Sequence, residues 1–99
     1  MNKNPLDFIK ENDNELFTHI SANRNSAIKE GELSVKTKLL IGLALDAAKG
    51  TADGVKSFAK QAVAAGASKE EILETLRIVY YICGVGSIYT AAKALEDIF

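Results

Sequence analysis

The chain has 99 residues, of which 47% are hydrophobic and 25% are charged, and its net charge at pH 7 is −1. This length fits one domain, and the hydrophobic fraction is too high for a disordered chain. The balanced charge provides no long-range attraction for nucleic acid or an anionic membrane, so neither is an expected partner.

The single cysteine excludes an internal disulfide and fits a reducing compartment. The segment Met1–Phe8 contains no apolar stretch of the kind found in signal peptides. The apolar segment Ile78–Ile88 is too short to cross a membrane and is broken by Gly84, Gly86 and Ser87. We therefore expect a soluble, cytoplasmic protein.

Capping and turn residues divide the first third of the chain into two helices. Pro5 is typical of a first helical turn and predicts a short helix over Asp7–Asn12. Asp13 or Asn14 then caps a second helix, which runs up to a left-handed stop at Gly31.

The middle of the chain predicts two further helices. Ser34 caps the third helix and Gly50 ends it, whereas Thr51 caps the fourth and Gly66 ends that one. Apolar residues recur at helical spacing in both: Leu40, Leu43, Ala44 and Ala47, then Val55, Phe58, Ala59, Ala62 and Val63. Glycines inside these helices, at positions 42 and 54, permit close approach between helices. Two carboxylates, those of Asp46 and Asp53, lie nearby in the sequence. Both are explained by a solvent-facing helix surface and by the favourable effect of a negative charge in the first turn of a helix.

The last third of the chain begins with a capping box over Ser68–Glu71, which predicts the start of a fifth helix. Its apolar stripe comprises Ile72, Leu76, Val79, Tyr80 and Cys83. The glycines of Gly84–Gly86 predict a break, after which a final helical segment runs through Ile88–Phe99. Because no strand-like alternation occurs, the sequence predicts an all-α, single-domain bundle of about six helices.

Several short motifs occur in a defined order along the second part of the chain. They are Lys36–Ile41, Lys49-Gly50, Ala65–Ser68, Glu70–Ile72, Gly84–Gly86 and Tyr89–Ala92. In this order and spacing, the region from Gly31 to Phe99 resembles the carboxymuconolactone decarboxylase/alkyl hydroperoxidase D family. The resemblance implies a family domain over residues 31–99, with the N-terminal helices of residues 1–30 packing on it. It also implies a homo-oligomer, either a trimer or a hexamer.

The resemblance indicates where a redox site would lie. In the peroxidase branch, two cysteines at the start of the fourth helix cycle between dithiol and disulfide, while a glutamate and a histidine relay protons. The cysteine positions correspond here to Thr51 and Gly54, the histidine position to Phe58 and the glutamate position to Leu39. None of these side chains performs redox or proton-transfer chemistry, so we do not expect disulfide-relay alkyl hydroperoxidase activity.

One further segment, Cys83–Val85, resembles a Cys-Gly-Ile/Val segment of the decarboxylase branch. That branch also presents a histidine at the position of Phe58 and cationic side chains for its substrate carboxylates. The only arginines here, Arg24 and Arg77, lie outside the matching segments. A decarboxylase or lyase acting on a small carboxylic acid or lactone is therefore an alternative rather than the favoured function.

Cys83 and His19 are the remaining candidates for chemistry. We expect Cys83 to be a small buried hydrophobic residue, the alternative being the lone thiol of a one-cysteine peroxidase. We expect His19 on the surface rather than acting as a general base. With one histidine and one cysteine, no metal site is expected, and nothing in the sequence calls for a cofactor.

Three tyrosines, Tyr80, Tyr81 and Tyr89, flank the glycine break and suit core or interface positions. If a ligand pocket exists, we expect it between Leu39, Phe58 and Cys83, with Tyr80 and Tyr89 as its polar groups.

The chain also carries more apolar residues than one buried stripe per helix requires: Leu39, Ile41, Tyr81, Ile82, Ile98 and Phe99. Contiguous apolar patches of this kind are typical of oligomer interfaces. The prediction from sequence is a non-catalytic, homo-oligomeric family member that binds a small molecule or a partner.

Overall fold

The computed structural model describes residues 4–99, so the first three residues of the predicted N-terminal segment lie outside the described chain. The described residues form six α-helices and contain no strand, which confirms the all-α prediction. The helices are α1 (Leu6–Asn12), α2 (Asn14–Ile28), α3 (Val35–Lys49), α4 (Ala52–Ala64), α5 (Lys69–Cys83) and α6 (Val85–Leu95).

Helices α3 and α4 form a tight helical hairpin at the centre of the molecule. The Ser34 hydroxyl accepts a hydrogen bond from the Thr37 N–H at 3.1 Å and so starts α3. Gly50 ends α3 in the left-handed conformation (φ 80°), and α4 begins two residues later at Ala52. Such a short connection folds the two helices against each other in antiparallel orientation.

The start of α5 is the predicted capping box. The Ser68 hydroxyl accepts from the Glu71 N–H at 3.0 Å, and the Glu71 carboxylate accepts from the Ser68 N–H at 2.9 Å. The predicted break is confirmed as well, because α5 ends at Cys83 and Gly84 adopts a φ of 87° before α6 begins. This turn allows α6 to pack back against α4 and α5.

The core lies between α3, α4, α5 and α6. Its largest fully buried side chains are Leu43, Ile72 and Val55, contributed by three different helices. A second, smaller cluster joins Leu39 to Ala62 and Ala67 at the far end of the α3–α4 hairpin. Burying each large side chain stabilises the fold by roughly 1.5–3 kcal/mol.

Two residues predicted to be surplus to the core are in fact packed within the chain. Leu39 is only 3% exposed, and Ile98 packs against the main core. The prediction that Leu39 is surplus to the core is therefore wrong, whereas Ile98 is only partly buried. Leu39 is buried because the antiparallel hairpin brings the last turns of α4 over the start of α3.

The hairpin of α1 and α2 extends from this bundle. None of the residues of either helix is buried. Near its end α2 reaches the rest of the chain, through the apolar side chain of Ile28 and a hydrogen bond from Arg24 to Gln61.

The end of α2 differs from the prediction. The helix stops at Ile28, and Lys29 turns the chain with an extended conformation (φ −57°, ψ 151°). Gly31 is not among the glycines with positive φ, so the predicted left-handed stop is wrong. The Lys38 ammonium donates to the Lys29 carbonyl at 2.7 Å, and this contact from α3 satisfies a carbonyl at the end of α2.

Within residues 4–99, no helix combines the length and the apolar character that crossing a membrane requires.

The two N-caps of α4 and α5 provide a matched test of the capping interaction. Ser68→Ala removes the hydroxyl that accepts from Glu71, and we expect it to lower the free energy of unfolding by about 1 kcal/mol. Thr51 occupies the equivalent position of α4, but its side chain makes no cap hydrogen bond, so Thr51→Ala is the control with a smaller effect. Urea denaturation measures both variants, and equal losses would contradict the assignment.

A second prediction concerns acid stability. The hydrogen bond from the Ser68 backbone, and then that from the Lys36 ammonium at 2.9 Å, hold the pKa of Glu71 below its ordinary value. A carboxylate whose pKa is lowered by folding stabilises the fold above its unfolded-state pKa, and this contribution disappears as the pH falls through the lowered value. Glu71→Gln keeps an acceptor for the capping box but removes the charge.

We therefore expect wild type to be more stable than Glu71→Gln at neutral pH, with the difference shrinking under acidic conditions. Urea denaturation across the acid range measures this difference. A gap that stays constant with pH would contradict a role for the carboxylate charge.

Candidate functional site

The positions that the resemblance assigns to a redox relay lie along the interface between α3 and α4. Leu39 lies in the first turns of α3, while Gly54 and Phe58 are one turn apart on α4. Phe58 packs against the cluster that contains Leu39, so the structure brings these two positions together. Thr51 lies at the exposed N-cap of α4, and its side chain makes no cap hydrogen bond.

The aromatic ring of Phe58 fills the space in front of α3. A Cβ atom placed on Gly42 would lie 2.7 Å from two carbons of this ring, a distance that real Cβ atoms do not reach. The ring therefore rests directly on the α3 backbone, and Gly42 is required for this contact. The side chain at the histidine position is thus a hydrocarbon ring, which neither accepts nor donates a proton.

A second glycine–side chain pair lies one turn closer to the hairpin turn. A Cβ atom on Gly54 would collide with the carboxylate of Asp46, which lies over the α4 backbone. A cysteine at position 54 would therefore require Asp46 to move. The space that its Cβ atom would need is occupied by this carboxylate.

The contacts of Gly42 with Phe58 and of Asp46 with Gly54 were not predicted from the sequence, although the sequence contains a signal for them. In an antiparallel hairpin that turns at Gly50, residues equally distant from the turn face each other. Gly42 and Phe58 are each eight residues from it, and Asp46 and Gly54 are each four residues from it. In each pair a glycine opposes a larger side chain, so the register could have been predicted from size complementarity.

Cys83 does not lie where the sequence placed it. Its side chain is exposed, so the prediction of a buried residue is wrong for the single chain. The spacing from Ile72, Leu76 and Val79 does continue the buried stripe, but α5 ends at Cys83 and Gly84 redirects the chain. Those three side chains are buried in the core, whereas the thiol, on the last residue of α5, is exposed.

The predicted pocket between Leu39, Phe58 and Cys83 is not formed. Leu39 packs against Ala67, just before α5 begins, and Cys83 is the last residue of that helix. The helical rise of 1.5 Å per residue separates the two ends of α5 by about 20 Å. Cys83 is thus remote from Leu39.

Among the tyrosines, Tyr80 lines a shallow groove between α5 and α6. The groove is formed by Leu73, Leu76, Arg77, Tyr80, Val85 and Ile88. Tyr89 and Tyr81 are exposed and do not contribute to it. Of the predicted pocket residues, only Tyr80 therefore lines this groove, where Arg77 supplies the one charged side chain.

His19 is on the surface, as predicted. Its imidazole lies 3.9 Å from the carboxylate of Glu15, one turn earlier on α2, and both side chains are highly exposed. Within the described part of the chain, no three histidine, cysteine, aspartate or glutamate side chains come together in a group that could hold a metal ion.

Comparisons with known proteins identify the family to which this fold belongs. The fold is defined by the helical hairpin, the capping box and the break before α6. The sequence profile described as "Carboxymuconolactone decarboxylase family" matches residues 14–97, so the chain belongs to this family. The match begins in α2, earlier than the resemblance that starts at Gly31.

A solved structure supports the same assignment. The crystal structure of an apo carboxymuconolactone decarboxylase family protein from Legionella pneumophila is similar, with a TM-score of 0.87 and 37% sequence identity. The similarity covers 92% of this chain and 81% of that protein. No curated protein matches the chain significantly.

The contact between Gly42 and Phe58 gives a third prediction. Replacing Gly42 with alanine should by itself stabilise α3 by roughly 1 kcal/mol, because alanine has a higher helix propensity than glycine. With the Phe58 ring present, the added methyl group overpacks this contact, which should cost about 1–3 kcal/mol and offset the stabilisation. In a Phe58→Ala background the methyl group meets no ring, so Gly42→Ala should raise the free energy of unfolding by the full amount.

Urea denaturation of the four combinations measures the coupling between the two positions. Gly86→Ala in α6 is the matched control, because a Cβ there meets nothing within 4 Å. Its effect should be the same with and without Phe58. If Gly42→Ala also behaves identically in both backgrounds, the proposed contact is refuted.

Proposed function

We propose that this protein is a carboxymuconolactone decarboxylase family member without the family's redox relay. In this proposal it acts as a non-catalytic homo-oligomer that binds a small molecule or a partner. The observation that carries the proposal is the packing of Phe58 against Gly42 and the Leu39 cluster. Hydrocarbon occupies the positions at which the resemblance would place the proton-relay groups.

The chemistry of the remaining positions supports the proposal. A disulfide relay needs two thiols that interconvert with a disulfide, and Thr51 and Gly54 provide no sulfur. Gly54 is moreover covered by the Asp46 carboxylate. Restoring a relay would therefore require changes on both α3 and α4, since the facing side chains are matched in size.

Two surface features support a binding role. The groove beside Tyr80 is mainly apolar and has one guanidinium group, from Arg77, at its edge. A small apolar ligand that carries a carboxylate would match this arrangement. Elsewhere, large apolar side chains of α3 and α5 are exposed in the single chain, and this surface suits self-association.

One observation favours a different function. The exposed Cys83 thiol is accessible to a peroxide, as a one-cysteine peroxidase requires. In that reaction the thiolate would attack the peroxide, releasing an alcohol and leaving a sulfenic acid that an external thiol then reduces. No hydrogen bond or ion pair to the Cys83 side chain is present among residues 4–99, so no neighbouring group is in place to activate it.

A peroxidase assay separates these functions. Purified protein with a dithiol donor should reduce alkyl hydroperoxides no faster than the Cys83→Ser variant, because no second thiol and no proton relay is present. Consumption of the peroxide is the measurement. Turnover that is lost on replacing Cys83 would refute the non-catalytic proposal and establish the one-cysteine function.

A further inference from the structure

The groove between α5 and α6 has the size of a small-molecule site. Its volume is about 440 Å³, whereas ligand pockets commonly measure roughly 300–1,000 Å³. All of its lining side chains except that of Arg77 are aliphatic or aromatic. Leu76 is buried, but Leu73 and Val85 are 47% and 57% exposed. A hydrocarbon group placed in the groove would therefore cover apolar surface that is now open to water.

The groove runs lengthwise between the two helices. On α5, the lining residues Leu73, Leu76, Arg77 and Tyr80 follow each other at steps of three or four positions or share one turn, so they lie on one side of the helix. At a rise of 1.5 Å per residue, Leu73 and Tyr80 are about 10 Å apart along this helix. Residues of α6 form the opposite wall. This shape suits an unbranched chain that lies along the groove.

Arg77 is a cation without a partner at this groove. Among residues 4–99, its guanidinium makes no hydrogen bond and no ion pair. The guanidinium presents its N–H donors in a planar fork, whose geometry matches the two oxygens of a carboxylate. A ligand carboxylate would satisfy these donors and complement the charge.

The acidic side chains near Arg77 limit the charge of the ligand. Glu70 and Glu74 line a hollow that adjoins the groove and shares Leu73 and Arg77 with it. A second carboxylate on the ligand would face either these acidic side chains or the apolar walls. Both positions are unfavourable, because like charges repel and a charge on an apolar surface loses hydration.

We propose that the α5–α6 groove binds a monocarboxylic acid with an unbranched hydrocarbon tail. The carboxylate pairs with the Arg77 guanidinium, and the tail lies over Leu76 and Ile88. This inference rests on the small-molecule binding in the proposed function and adds the class of ligand and the group that holds it. Because the tail contributes through burial, each further methylene that the groove covers should tighten binding by up to about fourfold.

Isothermal titration calorimetry of the full chain with four probes tests the class of ligand. Octanoate should bind. Octan-1-ol lacks the charge and should bind roughly tenfold more weakly. Octanedioate carries a second carboxylate and should also bind more weakly than octanoate, as should butyrate, whose tail is too short to cover the groove.

Two pairs of variants test the location. Arg77→Gln should weaken octanoate binding roughly tenfold and leave octan-1-ol binding unchanged, since only the acid uses the guanidinium. Arg24→Gln, which changes the other arginine of the chain, is the matched control. Leu73→Ser should weaken the binding of both probes, whereas Leu33→Ser, at a leucine that is 48% exposed outside the groove, should weaken neither. Circular dichroism should show that all four variants retain their helices.

The outcomes separate this inference from the proposed function. Equal affinity for octanoate and octan-1-ol, or octanoate binding that Arg77→Gln leaves unchanged, would overturn the carboxylate ligand while leaving a small-molecule site. Binding of neither probe would overturn the inference and leave a macromolecular partner as the binding role. Peroxide turnover that depends on Cys83 would instead refute the non-catalytic proposal, and the affinity for octanoate does not depend on that result.

Discussion

The antiparallel pairing of α3 with α4, set by the left-handed turn at Gly50, is the constraint on which the rest of the structure depends. With only two residues between the helices, the turn leaves little freedom in how they slide along each other. It fixes which side chains meet, and both α5 and α6 then pack on the surface that the hairpin provides. The fully buried side chains of Leu43 and Val55 lie where these helices converge.

This register also determines what the candidate site contains. Phe58 fits because the facing residue, Gly42, has no side chain, and the Asp46 carboxylate fits because Gly54 has none. In both pairs one partner is small where the other is large, as close packing requires. The proposed loss of redox chemistry thus involves more than the absence of two cysteines, because facing side chains fill the space at these positions.

The apolar second half of α5 is only partly covered by the other helices. The core-facing stripe of Ile72, Leu76 and Val79 accounts for one side of the helix only. Exposed residues on the other side are as apolar as the buried ones, and the α1–α2 hairpin likewise lacks a core of its own. A further layer of protein would bury both surfaces, which is why we propose that quaternary contacts complete the fold.

The sequence by itself determined the helices and most of their ends. Ser34, Gly50 and Ser68 were predicted correctly because caps and left-handed turns depend on hydrogen bonds and φ angles within a few residues. The helix class and the break at Gly84 are local in the same sense. The family resemblance likewise rested on motifs that can be read along the chain.

The tertiary structure alone decided which apolar residues are covered and which are exposed. Helical periodicity placed Cys83 on the buried stripe, but α5 ends at this residue and the thiol is exposed. Leu39 was expected on an interface, yet α4 folds back over it. Burial depends on distant segments that meet only in the folded chain, so periodicity identifies a stripe without determining how far its partners reach.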